Sequence, residues 1–234
     1  MLVERGLVES RQKARALIMA GRVVVDGAVA DKPGREYRAD CRIEIKEGPR
    51  YASRGGLKLE GALDRFGLDV RGLRAMDVGS STGGFTDCLL QRGAAAVWAV
   101  DVGRGLLDWR LRRDGRVRLL EGVNVRNLAR DAVTDPIDLA VIDVSFISLE
   151  KVLPKVREFL APGARVLALV KPQFEVGRGQ VEKGGVVRDP AKHRAVVEKI
   201  KGCGLALGFR CLGTTPSPIR GAKGNVEFWV LFAA

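Results

Sequence analysis

Beyond residue 53 the chain alternates short, nearly continuous apolar runs with stretches of helical period. Arg74–Val78, Ala95–Val100, Val117–Glu121, Leu139–Val144, Arg165–Val170, Leu207–Leu212 and Val226–Phe232 read as strands. Leu57–Phe66, Phe85–Arg92, Leu149–Leu160 and Pro190–Gly202 read as helices. Strands without polar alternation are covered on both faces, and the intervening helices supply the cover. The pattern therefore predicts an α/β domain over residues 54–234 with a mostly parallel sheet. Residues 1–47 follow another rhythm and predict a compact α/β module. Ser10 stands as N-cap to a helix over Arg11–Ala20, Gly21 stops it, and Ala14, Leu17 and Ile18 line one face. Val23–Ala30 reads as a hairpin turned at Asp26-Gly27 in type I′, and Arg42–Lys46 as a further strand. Glu47-Gly-Pro-Arg-Tyr-Ala-Ser53 holds turn formers and no apolar period, so residues 48–53 are predicted to link two domains.

The first strand of the larger domain ends at Asp77 and runs into Gly79-Ser-Ser-Thr-Gly-Gly-Phe85. This layout sets backbone N–H groups and a carboxylate at the carboxyl end of a strand, where open α/β sheets take nucleotide-like ligands. A dinucleotide fingerprint needs Gly where Ser81 stands, and a P-loop needs Lys where Phe85 stands. A nucleoside without phosphates fits better. S-adenosylmethionine, which carries a sulfonium and an amino acid tail, is the expected cofactor, with Asp77, Gly79, Ser80, Gly83, Gly84 and Phe85 as candidate contacts. Asp101 ends the next strand, at the distance where an acidic residue meets ribose hydroxyls. Asn124 follows the third strand and is a candidate for the adenine edge. The plain alternatives are a ligand-free turn and a helix-capping aspartate.

Charge narrows the partner. Among 234 residues, 40 Lys and Arg against 28 Asp and Glu give a net charge of +12. Such a surplus favours a polyanion, because each neutralised phosphate releases condensed counterions. Cys41, Cys88, Cys203 and Cys211 form no C-x-x-C pair, so neither a metal site nor a disulfide framework is expected. His193 is the single histidine, which leaves general-base chemistry to Lys, Asp or Glu. No apolar run approaches the ~20 residues of a membrane span and no leader-like segment opens the chain, so a cytoplasmic protein away from membranes is expected.

Four polar residues stand where the pattern prefers others: Lys58 at the head of a helix, Asp143 and Lys171 at the ends of apolar strands, and Glu227 inside one. Each has a dull reading as a cap or a solvent-facing side chain. Together, in Gly55-Gly-Leu-Lys-Leu59, Val141-Ile-Asp-Val-Ser-Phe-Ile-Ser148, Leu169-Val-Lys-Pro-Gln-Phe-Glu175 and Gly224-Asn-Val-Glu-Phe-Trp229, they resemble the FtsJ-like ribose 2′-O-methyltransferases with a Lys-Asp-Lys-Glu tetrad. Leu2–Gly27 resembles an S4 RNA-binding domain, without the Arg-Leu-Asp usual before that point, so either its first helix is short or the first few residues of a longer protein lie ahead of this sequence. The combination is similar to the TlyA, or haemolysin A-like, group.

The resemblance implies a Rossmann-like S-adenosylmethionine-dependent methyltransferase domain behind a small S4 domain that grips RNA through basic residues, here Arg5, Arg11, Lys13 and Arg15. It implies 2′-O-methylation of cytidine in ribosomal RNA, with ribosomal subunits as partners and Lys58, Asp143, Lys171 and Glu227 as catalytic residues. Lys171 is the expected proton acceptor, Lys58 the cation beside it, and the two carboxylates hold amines and ribose. Base amino methylation is disfavoured, since Asp143-Val-Ser-Phe146 stands where an Asn-Pro-Pro-Tyr-like motif would be. Two rivals are a ribosome-binding or assembly factor with a vestigial methyltransferase fold, and a membrane-lysing protein as the haemolysin label suggests.

Overall fold

The computed structural model describes every residue except 47, 178, 183 and 222. Its contacts divide the chain into two units, Met1–Arg50 and Tyr51–Ala234. Glu47, where the first module was predicted to end, lies outside the described residues. Tyr51, Ala52 and Ser53 are no free linker. Tyr51 is buried and Ala52 N–H donates to Asp87 Oδ2 at 2.8 Å, which fixes the segment to the second unit.

The first unit holds α1 (Arg11–Met19) and a three-stranded antiparallel sheet in the order β2-β1-β3, from β1 (Val23–Val25), β2 (Ala28–Val29) and β3 (Ile43–Ile45). Ser10 Oγ accepts from Lys13 N–H and starts the helix. Asp26 and Gly27 both take positive φ, 48° and 81°, as the predicted type I′ turn demands. Leu2, Leu17, Val23, Val25, Ala30 and Cys41 form a small core. Residues 1–7 form turns rather than a first helix, closed by Arg5 N–H to Met1 O and Leu7 N–H to Leu2 O.

The second unit is built on a seven-stranded sheet in the order β6-β5-β4-β7-β8-β10-β9. Its strands are β4 (Arg74–Val78), β5 (Ala96–Asp101), β6 (Val117–Glu121), β7 (Ile137–Ile142), β8 (Leu160–Val170), β9 (Arg210–Pro216) and β10 (Phe228–Ala233). Only β10 runs against its neighbours, β8 and β9. Period-two alternation splits each central strand between two cores. Ala75, Val97, Leu139, Val141, Leu167 and Trp229 pack beneath α2 (Gly55–Phe66) and α3 (Gly84–Gln91). Met76, Val100, Ile142, Val166 and Phe232 pack beneath α5 (Leu153–Arg157) and α7 (Pro190–Ala206).

Two short helices carry no periodic signal, α4 (Trp109–Arg112) and α6 (Pro172–Glu175). The predicted helix over Leu149–Leu160 is a 3₁₀ turn followed by α5, and Leu160 already belongs to β8, paired with Ile137. Helix α7 runs four residues past the predicted Gly202, so β9 starts at Arg210 rather than Leu207. No helix among the described residues is long and apolar enough to cross a membrane.

Candidate active site

Strands β4, β5, β7 and β8 run parallel and end on one edge of the sheet, while the reversed β10 begins there. Asp143 and Lys171 each follow the last residue of a strand, and Glu227 precedes the first residue of β10. Pairing of Phe228 with Val170 sets Glu227 beside Lys171 in register. The topology thus gathers residues far apart in sequence at one edge.

The Gly-rich loop turns on this edge. Gly79 has φ +88°, and a Cβ there would strike the Asp143 carbonyl oxygen, so only glycine lets the loop lie against the β7 end. Asp77, predicted to touch the cofactor, lies fully buried beneath the loop. Its Oδ2 accepts from Thr86 N–H at 2.9 Å and Thr86 Oγ1–H at 2.7 Å, pinning the first turn of α3. Burial pushes this carboxyl up to about 7; the Thr86 bonds oppose the shift and the charges of Asp143 and Asp101 add to it. Phe85 is likewise buried, its ring 5.5 Å from that of Trp229, and Gly83 forms the N-cap of α3.

Two cavities meet at Gly79, Ser81 and Asp143. The larger, of about 960 Å³, runs along the β4–β5 edge past Asp101, Val102, Asn124 and Arg126 to Ser145 and Phe146. Asp101 accepts from Ser81 N–H through Oδ2 and from Gly103 N–H through Oδ1, both at 2.7 Å, which aims the carboxylate into the cleft. Asn124 Oδ1 caps the following 3₁₀ turn by accepting from Arg126 N–H, leaving its amide N–H₂ for a ligand. The smaller cavity, of about 350 Å³, is lined by Arg54, Lys58, Ser80, Thr82, Gly84, Phe85 and Arg220 among others.

Of the four tetrad residues, each lysine meets its own carboxylate. Lys58 Nζ donates to Glu227 Oε2 at 2.6 Å, with side chains 12% and 3% exposed. Lys171 Nζ lies 2.5 Å from Asp143 Oδ1 and donates to Ser145 Oγ at 2.9 Å. The Asp143 contact is ionic rather than directional, so Oδ1 has no hydrogen-bond donor among the described residues. The neighbour that holds Lys171 is therefore a carboxylate and a hydroxyl, not the Lys58 cation expected from sequence; separate pairing spares two ammonium groups mutual repulsion.

Sequence reasoning missed Ser145, Phe146, Phe174 and Glu175. Phe146 is 91% exposed with φ +63°, a conformation a bulky side chain rarely takes, and its ring rests 4.9 Å from that of Phe174 at the cleft rim. Glu175, buried at the end of α6, accepts from Leu149 N–H at 2.8 Å and Ser148 Oγ–H at 2.6 Å, tying the segment after Lys171 to the one after Asp143. Only the charged residue ending an apolar run was visible in sequence. In the first unit, Arg5 donates to Cys41 O at 2.7 Å and to Ala39 O, so its guanidinium is used within the module, whereas Arg11, Lys13 and Arg15 are exposed. His193 is structural, its Nε2 2.8 Å from Val187 O.

Residues 51–234 match the FtsJ-like methyltransferase family and residues 1–40 the S4 domain. The 16S/23S rRNA (cytidine-2′-O)-methyltransferase TlyA of Mycobacterium tuberculosis is 46% identical over 231 residues, 98% of this chain and 86% of that protein. Hemolysin A of Brachyspira hyodysenteriae is 40% identical over 228 residues, 97% of this chain and 95% of that protein. A solved structure of a Streptococcus thermophilus protein carrying a hemolysin label aligns with a TM-score of 0.78 at 44% identity, over 99% of this chain and 86% of that one.

Proposed function

Because the chain belongs to the FtsJ-like methyltransferase family, we propose that it transfers the methyl group of S-adenosylmethionine to the ribose 2′-hydroxyl of a cytidine in ribosomal RNA. The observation that carries this reading is the meeting of the two cavities beside Asp143, with both lysine–carboxylate pairs at that sheet edge.

The residues fit the cofactor. The larger cleft is of small-molecule size. Gly79 and Ser81 of the Gly-rich loop line it together with Asp101 and Asn124. Asp101 would take the ribose hydroxyls and Asn124 the adenine edge, with Gly79 and Ser81 along the remainder; Ser80 lines the smaller cavity instead. Bound there, the cofactor supplies a methyl group already activated on a sulfonium.

The chain's own task is to align a hydroxyl and remove one proton. Lys171, held between the Asp143 carboxylate and the Ser145 hydroxyl at the strand edge, is the group placed to take the 2′-OH proton. Lys58, held by Glu227 within the smaller cavity, offers positive charge to the developing alkoxide. The exposed Phe146–Phe174 pair presents an aromatic face for a base splayed out of its stack. Outward Arg11, Lys13 and Arg15 of the S4 unit would bind RNA phosphates, and a ribosomal substrate would be met in the cytoplasm.

The test is methyl transfer from labelled S-adenosylmethionine to ribosomal subunits from cells lacking the protein, with the modified nucleotide mapped. New 2′-O-methylcytidine is expected. Label on a base, or none at all, would refute the reading.

A further inference from the structure

The smaller cavity holds groups for which methyl transfer alone has no use. Arg54, at the N-cap of α2, and Arg220, in the segment ahead of Glu227, both line it and both are exposed. Neither has an ion-pair partner among the described residues; the one bond of Arg220 is to Gly224 O at 3.2 Å. Lys58 differs, being matched by Glu227. The first turns of α2 and α3 open on the same space through Gly55 and Gly84, and neither N-cap residue closes its helix with a side chain. Ser80 also lines it, only 5% exposed, with a hydroxyl that has no partner. The single carboxylate in the wall, Asp143, is taken by Lys171. Two unmatched guanidinium groups, two positive helix ends and an orphaned buried hydroxyl select an oxyanion.

Ribose chemistry says which one. The 2′-hydroxyl and the 3′-phosphodiester stand on adjacent carbons of one ring. A hydroxyl presented to Lys171 therefore carries its own 3′-phosphate into the neighbouring space. A carboxylate on the cofactor's amino acid tail has the same chemistry, but the two arginines stand on the exposed side of the cavity, where a polymer passes. We infer that this cavity is a phosphodiester subsite, in which Arg54 and Arg220 hold the phosphate 3′ to the methylated ribose. The inference rests on the ribose-methylating function proposed above.

Arg54→Gln, Arg220→Gln and the double variant, made in the full chain, test it. Both positions are exposed, so thermal midpoints should match wild type. Binding to unmodified ribosomal subunits is measured against salt concentration, and binding of S-adenosylhomocysteine alone by calorimetry. The double variant should flatten the slope of log K against log salt by about 0.7, the loss of one single-strand phosphate contact. Its S-adenosylhomocysteine affinity should stay within about twofold of wild type, under 0.5 kcal/mol. An unchanged salt slope would overturn the subsite. So would a loss of S-adenosylhomocysteine affinity of about tenfold or more, which assigns the cavity to the cofactor's carboxylate. Failure of the wild-type protein to methylate these subunits would strike the functional reading instead, while the slope, read from binding alone, still decides whether RNA phosphate sits here.

Discussion

Lys171 Nζ is fixed from two sides, 2.5 Å from Asp143 Oδ1 and 2.9 Å from Ser145 Oγ, by the segment that follows a neighbouring parallel strand. Such an amine has little freedom to act as a mobile phosphate contact. If it accepts the 2′-OH proton, Lys171→Ala should lower single-turnover methyl transfer by at least ~10²-fold while leaving cofactor and RNA affinities within a few-fold. Lys171→Arg should fail equally, because guanidinium stays protonated at any working pH. Near-normal turnover in Lys171→Arg would make Lys171 an electrostatic contact and move the base elsewhere.

The Lys58–Glu227 pair makes a different prediction, because both side chains are largely withdrawn from water. Removing one partner strands the other as a buried charge, at a cost of about 3–5 kcal/mol. Lys58→Met should therefore lower the urea midpoint sharply. Adding Glu227→Gln to that variant should recover most of the loss without restoring activity. Additive destabilisation in the double-mutant cycle would show that the two groups do not depend on each other.

The strand-end positions of this site were legible in sequence because apolar runs rarely close on a charge unless something needs it there. Asp143, Lys171 and Glu227 stood out for that reason, and the observed sheet gathers them on one edge. Which lysine meets which carboxylate was not legible. The Lys58–Glu227 contact joins residues 169 apart and depends on how α2 packs over the start of β10. Ser145 and Phe146 gave no signal either, since a hydroxyl and a ring in a loop have no period, and the positive φ of Phe146 is a product of the folded turn. Asp77 reads as a ligand contact in sequence because the loop follows it. Its real partner, Thr86, is set by the path of the loop rather than by any spacing.

Asp101 is the cleft residue whose loss should be felt by the cofactor alone. Its two oxygens each accept one backbone N–H and retain lone pairs for ribose hydroxyls. Asp101→Ala should weaken S-adenosylhomocysteine binding by roughly tenfold or more, about 1.4 kcal/mol, in calorimetry. Binding to ribosomal subunits without cofactor should stay at the wild-type level. Equal S-adenosylhomocysteine affinity in both proteins would remove Asp101 from the cofactor site.

Asp77 gives the fold a pH dependence with a definite sign. Burial is the main cause that lifts its carboxyl to about 7 in the folded protein, whereas an unfolded chain titrates it near ~3.9. Between those values the native state binds more protons than the unfolded state, so this group's contribution to stability falls as pH rises. It is fully present below about pH 4 and lost once pH passes through about 7. Asp69 and Glu121, held near 2 chiefly by hydrogen bonds from Arg71 and Arg112, change charge on folding below that window and do not mask it. Asp77→Asn keeps the shape and an acceptor for Thr86 but carries no charge at any pH. Urea midpoints taken from pH 4.5 to pH 8 should therefore show the wild type losing stability relative to Asp77→Asn up to neutrality, by a few kcal/mol, and running parallel to it above. Curves that stay parallel across the whole range would mean that the Asp77 carboxyl titrates alike in both states and that the Thr86 bonds outweigh its burial.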